Sequence, residues 1–177
     1  MQTTLKNKEI IEIRHVRIQD ALKRHHFFVT LSLAQVGVVH TVDEIDPHTE
    51  ESEQHIKDFV LNRRGLWLVA VNKDQEIVGE IDITVKHLVR VRHNGFLTMG
   101  IIPAYQNLGL GSALMHEALI WAKDEKLERI ELSVFKSNQT AQALYRKFGF
   151  AVEGTRKNYI KNSKSSYDDD IIMAAYI

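Results

Sequence analysis

The stretch from Met99 to Trp121 constrains the fold of this chain more than any other. It opens with the apolar run Met99-Gly100-Ile101-Ile102, which Pro103 ends, and continues through Gln106-Asn107-Leu108-Gly109-Leu110-Gly111-Ser112. Apolar residues then recur with the spacing of one helix face, at Leu110, Leu114, Ala118 and Trp121. The pattern predicts a strand, a turn built on glycines, and a helix that packs one side against a core.

The glycine turn predicts a site for an anion. Gly109 and Gly111 have no Cβ, so the backbone can turn tightly and a ligand can approach the amides that a helix leaves unpaired in its first turn. Those amides suit a phosphate or pyrophosphate, and Gln106, Asn107 and Ser112 could add hydrogen bonds. The spacing matches neither a P-loop nor the three-glycine dinucleotide motif. A plain tight turn is the alternative.

Composition narrows the class of protein. With 177 residues, 44% of them hydrophobic, the chain suits a single domain over residues 1–177. Lysine plus arginine (23) equals aspartate plus glutamate (23), so no overall charge favours nucleic acid or an anionic membrane as a partner. The absence of cysteine excludes disulfides and thiolate chemistry. The polar start, Met1 to Glu9, and the lack of a long apolar run favour a cytoplasmic protein.

The rest of the chain predicts further strands and helices around that unit. Strands are predicted at Glu9–Arg17, Leu66–Val71, Ile77–Val85, Phe96–Ile102, Arg129–Phe135, Phe150–Ile160 and Tyr167–Tyr176. The second and third of these should form a hairpin, because Asn72-Lys73-Asp74-Gln75 is a polar turn. Helices are predicted over Ile18–Val36, from Asp46-Pro47 and Thr49 to Arg63, and from Asn138 to Gly149. The first is suggested by the apolar residues Ala21, Leu22, Phe28, Leu31 and Leu33, and the second should bury the stripe Ile56, Phe59 and Val60.

Three motifs in order carry a resemblance to a known family. They are the Gln106 to Ser112 turn, Asn138, and the run Ala141-x-x-Leu144-Tyr145-x-x-Phe148-Gly149-Phe150. The chain resembles the GNAT (Gcn5-related) N-acetyltransferases from its first strand to its end, and is most like bacterial members that acetylate amino acids or other small amines. The resemblance implies an α/β (α+β) fold with a mixed central sheet of about seven strands and about four flanking helices. The sheet would be splayed between its fourth and fifth strands, Phe96–Ile102 and Arg129–Phe135.

The resemblance also implies acetyl-coenzyme A as co-substrate, wedged into the splay. Its pyrophosphate would lie on the glycine turn, formed by Gln106, Asn107, Leu108, Gly109, Leu110, Gly111 and Ser112. Backbone groups of Gly100, Ile101 and Ile102 would bond its pantetheine arm, Asn138 would contact that arm from the far side, and Tyr145 would lie near the sulfur. Two positions depart from the family pattern: Leu108 stands where a basic residue is common, and Phe96 where an acid is common.

Direct acetyl transfer to an amine requires a base and an acid. An alkyl ammonium has a pKa of about 10, so a proton must be removed before attack. Glu80 is the first candidate base, because Glu80 and Asp82 share one face of their strand, which could line a cleft or meet solvent. His93 is the second candidate. Tyr145 is the candidate acid for the departing thiolate, and a tyrosine of the core is the alternative.

The acceptor and the partners are less constrained. A free amino acid or other small amine is expected, with a protein N-terminus as the alternative acceptor and a non-catalytic acyl-coenzyme A sensor as the alternative function. The nine histidines match no metal-ligand spacing, so no metal is expected. The basic cluster from Lys86 to His93 predicts a solvated hairpin, or else a contact with an acidic acceptor or with a second subunit in a homodimer.

Overall fold

The fold is taken from a computed structural model, which describes residues 1–35, 37–45, 49–61 and 65–177. Within these ranges the strands are β1 (Gln2–Thr4), β2 (Ile10–His15), β3 (Gly65–Val71), β4 (Ile77–Val85), β5 (Asn94–Ile101), β6 (Arg129–Phe135), β7 (Ala151–Lys161) and β8 (Tyr167–Tyr176). The α-helices are α1 (Ala21–Leu33), α2 (Glu50–Leu61), α3 (Leu110–Asp124) and α4 (Gln139–Lys147). Their order confirms the predicted mixed α/β architecture.

All eight strands belong to one sheet, in the order β1-β2-β3-β4-β5-β6-β8-β7. Every neighbouring pair is antiparallel except β5 and β6, which run parallel. The predicted hairpin of β3 and β4 is confirmed. The described sheet has one strand more than the seven expected, because Gln2–Thr4 adds a short edge strand along β2. The splay expected between the fourth and fifth strands therefore lies between β5 and β6.

The pairing of β5 with β6 is short. Only Asn94, Gly95 and Phe96 pair in register with β6, opposite Arg129, Ile130 and Glu131. On its other side β5 pairs with β4 along seven residues, from Gly95 to Ile101. Beyond Phe96 the two parallel strands therefore separate while β5 stays attached to β4, which confirms the predicted splay.

The sheet is covered on both faces. Side chains alternate along a strand, so on β4 Ile81 and Ile83 enter the core beneath α3, while Glu80 and Asp82 point to the opposite face. That opposite face carries Trp67 and Val69 and packs against Phe27 of α1. The sequence alternation Glu-Ile-Asp-Ile thus assigns the aliphatic residues to one layer and the acids to the other.

The helices bury narrower stripes than predicted. On α1 the buried residues Ala21, Arg24, Phe27 and Leu31 follow one helical face. Leu22 lies off that face and is 56% exposed, and Leu33 is also exposed. The prediction that Val60 is buried is wrong, because α2 packs through Ile56 and Phe59. Three predicted helix boundaries lie outside the described residues: the end of the first helix at Val36, and the start and end of the second at Asp46-Pro47 and Arg63.

Within the described part of the chain, no helix has the length and apolar character needed to cross a bilayer.

The closed end of the splay provides a test of the packing. A Cβ on Gly95 would lie 2.6 Å from Cγ2 of Ile83 and 2.7 Å from Cδ1 of Ile130. We expect Gly95→Ala to lower the free energy of unfolding by about 1–3 kcal/mol through overpacking, measured by urea denaturation. Gly154→Ala is the matched strand control, because its Cβ would meet only Cδ1 of Ile172 at 3.8 Å. Equal stability of both variants would contradict the tight packing at this end.

Candidate active site

A cavity of about 780 Å³ occupies the splay between β5 and β6. We call it the cleft. Its lining comes from residues 96–101 of β5, residues 133–135 of β6, the glycine turn, α4, the segment 37–40, and Phe28, Tyr159, Ile160 and Asp170. A cavity of this size lies within the range of small-molecule sites, so the opening in the sheet is large enough for a ligand.

The backbone of β5 supplies the cleft with unpaired polar groups. The N–H of Ile102 donates to the carbonyl of Val78 at 3.1 Å, so Ile102 faces β4. Because backbone direction alternates along a strand and the β4–β5 register is regular, Gly100 and Thr98 also face β4. The groups directed across the gap toward β6 are those of Leu97, Met99 and Ile101, and among them the carbonyl of Ile101 already accepts from Nε2 of Gln106.

This alternation decides which of the three predicted strand residues direct a backbone group at the cleft. Ile102 does not line the cleft, and its carbonyl accepts from the N–H of Tyr105 at 3.0 Å, so both of its backbone groups are occupied. Gly100 lines the cleft, but a Cβ there would lie 2.9 Å from Cδ1 of Leu31. Gly100 therefore lets α1 pack closely, and its backbone groups serve the sheet. Of the three strand residues predicted, Ile101 alone keeps a backbone group toward the gap.

The glycine turn lies at the open end of the cleft. Gly109 precedes α3 with a φ of 98°, a left-handed conformation that favours glycine. The N–H of Ala113 donates to the carbonyl of Gly109 at 3.1 Å. The N–H groups of Leu110, Gly111 and Ser112, one turn earlier, have no helical partner and are available to a ligand.

Side chains of the turn divide between cleft and core. Those that line the cleft are at Gln106, Asn107 and Ser112, together with the glycines at 109 and 111. Leu110 is fully buried and Leu108 packs against the same core, so each can contribute only backbone. Gln106 donates from Nε2 to the carbonyl of Ile101 at 2.9 Å, which fixes the turn to the end of β5.

Two lysines from other parts of the chain flank the turn. Nζ of Lys6, in the β1–β2 connection, donates to the carbonyl of Asn107 at 3.2 Å, and Lys6 lines the cleft. Nζ of Lys147, at the end of α4, donates to Oγ of Ser112 at 3.4 Å. Both amines are exposed, so they keep the freedom to turn toward a bound anion. They bring positive charge to the place where Leu108 provides none.

α4 carries two predicted site residues to the far wall of the cleft. Asn138 caps this helix, since its Oδ1 accepts from the N–H of Ala141 at 3.1 Å, and it lines the cleft beside Gly37. Tyr145 also lines the cleft, although it is only 5% exposed, and its ring packs against Phe150. Burial raises the pKa of Tyr145 to about 12, so its hydroxyl remains a hydrogen-bond donor over the physiological pH range.

The first candidate base, Glu80, lies outside the cleft lining. Its Oε2 accepts from Nε of Arg24 at 2.9 Å and from Nε1 of Trp67 at 3.4 Å, and its Oε1 accepts from Nη2 of Arg24 at 3.2 Å. Both charged side chains are buried. The structure thus corrects the expectation that Glu80 faces the cleft, because α1 covers this carboxylate with a guanidinium.

The second candidate base, His93, precedes β5 at the closed end of the splay. Its carbonyl accepts from the N–H groups of Glu128 and Arg129, at 2.9 and 3.3 Å. Its side chain is half-buried and does not line the cleft. The observed contacts of His93 therefore connect β5 to the start of β6.

The other end of the cleft has mostly apolar walls. Phe28, Val38, Val39, Tyr159 and Ile160 line it. Asp170 also lines this region, but it is buried and paired with Arg156, whose guanidinium lies 4.1 Å from the ring centre of Tyr159. A ligand group placed here meets more hydrocarbon than charge.

The described residues contain no group of three or more histidine and acidic side chains arranged to hold a metal ion. This finding concerns residues 1–35, 37–45, 49–61 and 65–177 alone.

Comparisons with known proteins agree with this geometry. The model of the acetyltransferase (GNAT) family matches residues 33–150. An L-amino acid N-acetyltransferase of Escherichia coli (strain K12), AaaT, is 30% identical over 168 residues, which cover 93% of this chain and 96% of that protein.

Solved structures give the same result. An acetyltransferase of the GNAT family from Streptococcus pneumoniae has a TM-score of 0.85 and 32% sequence identity, covering 94% of this chain and 99% of its own. A GNAT superfamily phosphinothricin acetyltransferase from Sinorhizobium meliloti, solved in complex with acetyl-coenzyme A, has a TM-score of 0.81. The match covers 99% of this chain and 89% of that protein's chain. Because the sequence identity is 15%, this match supports the fold alone.

Proposed function

Because the chain belongs to the GNAT family of acetyltransferases, we propose that it moves the acetyl group of acetyl-coenzyme A to the amino group of a free amino acid or other small amine. The observation that carries this proposal is the splay, which presents unpaired β5 backbone and the free amides of α3 to one elongated cleft. A diphosphate joined to an extended, amide-containing arm matches that arrangement. The protein from Sinorhizobium meliloti that shares this fold was solved in complex with acetyl-coenzyme A.

The donor would bind in two parts. Its diphosphate would accept hydrogen bonds from the N–H groups at the start of α3, where the helix dipole favours negative charge. Lys6 and Lys147 would add the positive charge that the turn lacks. The pantetheine arm would pair with Leu97, Met99 and Ile101 as an added strand, and would thereby carry the thioester toward Tyr145.

Acetyl transfer would then proceed by direct attack of the amine. The neutral amine adds to the thioester carbon, a β5 N–H donates to the developing oxyanion, and the C–S bond breaks. A thiol has a reference pKa of about 8.5, far below that of Tyr145, which is raised to about 12. Tyr145 would therefore act mainly by donating a hydrogen bond to the departing sulfur, and any proton that it gives must be replaced at once.

The acceptor end favours an amine with an apolar side chain. Phe28, Val38 and Val39 approach it from the α1 side, and Tyr159 and Ile160 from the β7–β8 hairpin. The activity named for the Escherichia coli relative, acetylation of L-amino acids, supports an acceptor of this size. A peptide N-terminus is the competing acceptor, and a sensor that binds the donor without turnover is the competing function.

A thiol-release assay with an amine panel tests the proposal. We expect coenzyme A to be released from acetyl-coenzyme A with one or more free amino acids, and faster with apolar than with charged ones. A tetrapeptide with the same first residue serves as the matched competitor. Faster release with the peptide would shift the acceptor to protein N-termini. Donor binding by calorimetry without release from any amine would indicate a sensor.

The role of Tyr145 can be separated from donor binding. We expect Tyr145→Phe to lower kcat by about 100-fold, because the hydrogen bond to the departing sulfur is lost while the ring still packs on Phe150. The Kd of coenzyme A should change little. Tyr105→Phe is the control, since Tyr105 bonds Glu9 away from the cleft. Wild-type turnover in Tyr145→Phe would remove the role.

The two lysines predict a phosphate-specific effect. We expect Lys6→Gln and Lys147→Gln each to raise the Kd of coenzyme A by about five-fold, since an exposed ionic contact contributes about 1 kcal/mol. The effect should weaken as salt concentration rises. Neither variant should alter turnover of S-acetylpantetheine, which lacks the diphosphate. Lys8→Gln, in the same connection, is the control. Equal losses with both donors would contradict a phosphate contact.

A further inference from the structure

We propose that Asp82 accepts the proton of the incoming amine through the hydroxyl of Thr98. The inference rests on the acetyltransferase function proposed above and assigns the base that this function requires. It places the proton acceptor on β4, the strand next to the one that holds the donor. Asp82 acts through Thr98 and does not itself touch the amine.

The sheet register places the two residues together. Asp82 of β4 lies directly opposite Thr98 of β5, and directly opposite residues of paired strands point to the same face. The Thr98 hydroxyl lies close enough to the Asp82 carboxylate to lower the pKa of that group. Thr98 is exposed to the cleft, whereas Asp82 is half-buried behind it and does not line the cleft. A hydroxyl thus stands between the cleft and a carboxylate.

Thr98 lies at the right depth along β5. The cleft runs along this strand from residue 96 to residue 101, with the diphosphate turn beyond 101. The donor's thioester would therefore lie toward the closed end, near Leu97, Thr98 and Met99. The acceptor walls formed by Phe28 and the segment 37–40 reach the cleft on the α1 side, and Thr98 points to that side.

The charges around Asp82 are arranged to keep it able to exchange a proton. Its own strand contributes Glu80 and the hydroxyl of Thr84, α1 contributes Arg24, and β3 contributes the uncharged Trp67, which has His55 of α2 against its ring. Burial, followed by the negative charge of Glu80, raises the pKa of Asp82 to about 7, while Arg24 and the two threonine hydroxyls oppose that shift. A base with this pKa is half ionised near neutral pH.

Glu80 and His93 are less suited to the role. Glu80 accepts three hydrogen bonds from Arg24 and Trp67, and α1 separates it from the cleft. The Arg24 guanidinium is itself fixed by Ser52 at 3.2 Å and by the ring of Trp67, 4.3 Å from its centre. This rigid pair places one negative and one positive charge beside Asp82 and leaves Asp82 as the unpaired member. His93 lies beyond the closed end.

The proton transfer balances without an added reactant. The substrate ammonium passes a proton to the Thr98 oxygen while the Thr98 hydroxyl proton moves to the Asp82 carboxylate, so the hydroxyl is unchanged and Asp82 becomes neutral. The nitrogen lone pair then forms the C–N bond, and the C–S bond breaks with its electron pair on sulfur. The nitrogen loses its second proton as the amide forms, sulfur gains one, and Asp82 returns its proton to solvent.

The pH dependence of kcat/KM for the amine tests this assignment. Because the ionised carboxylate is the active form, wild-type activity should fall as pH drops through about 7 and level off above it. In Asp82→Asn the value at neutral pH should fall by about 100-fold or more. In this variant kcat/KM should show no plateau above about pH 7. It should instead rise tenfold per pH unit up to the pKa of the amine, about 10 for an alkyl amine, because only unprotonated amine then reacts. The Kd of coenzyme A should not change.

Further variants separate proton transfer from structure. Thr98→Val should show the same loss, and Thr98→Ser, which keeps the hydroxyl, should restore most of the activity. Asp74→Asn, in the exposed β3–β4 turn, is the control. If kcat/KM of Asp82→Asn still fell as pH drops through about 7, the inference would be overturned. It would also be overturned if Asp82→Asn kept this pH dependence while Glu80→Gln or His93→Ala lost it. If the wild type releases no thiol with any amine, the proposed function fails and the role of Asp82 fails with it.

Discussion

The structure depends on a hydrogen-bond ladder that stops after three residues. β5 and β6 pair only from Asn94 to Phe96, and β5 then stays with β4 while β6 stays with β8. Backbone groups inside a protein need partners, so an opening of this kind within a sheet calls for a ligand with amides of its own. The packing around Gly95 and the contacts of His93 maintain the pairing at the closed end.

The two faces of the sheet differ in the side chains that they carry. Beneath α3 the sheet is aliphatic and holds the helix whose first amides are proposed to bind the donor. Beneath α1 and α2 it carries Glu80 and Asp82, with Arg24 over the first and Thr98 beside the second. A ligand in the splay would therefore meet the proposed phosphate site at one end. On the α1 side of the other end it would lie near a buried set of charges. Strand alternation in β4 is sufficient to create this separation.

Local patterns predicted most of the fold, and contacts distant in sequence account for the remainder. The hairpin, the glycine turn and α4 follow from turn residues, caps and periodicity within short windows. The contact of Lys6 with Asn107 could not be predicted in this way, because the two residues are 101 positions apart in sequence. The ion pair of Arg24 with Glu80 could not be predicted either, because its partners are 56 positions apart. Which β5 residues face the gap could not be predicted either, since only the observed register fixes their direction. The width of the buried stripe on α2 depends on what packs against the helix, so the burial of Val60 was predicted wrongly.

The central claim is that the gap between β5 and β6 receives a thioester donor as an added strand. A crystal structure with bound coenzyme A tests it most directly. We expect the diphosphate on the N–H groups of residues 110–112, the pantetheine amides paired with Leu97, Met99 or Ile101, and the sulfur within hydrogen-bond reach of Tyr145. A nucleotide bound elsewhere, or a pantetheine arm that makes no backbone contact with β5, would contradict it.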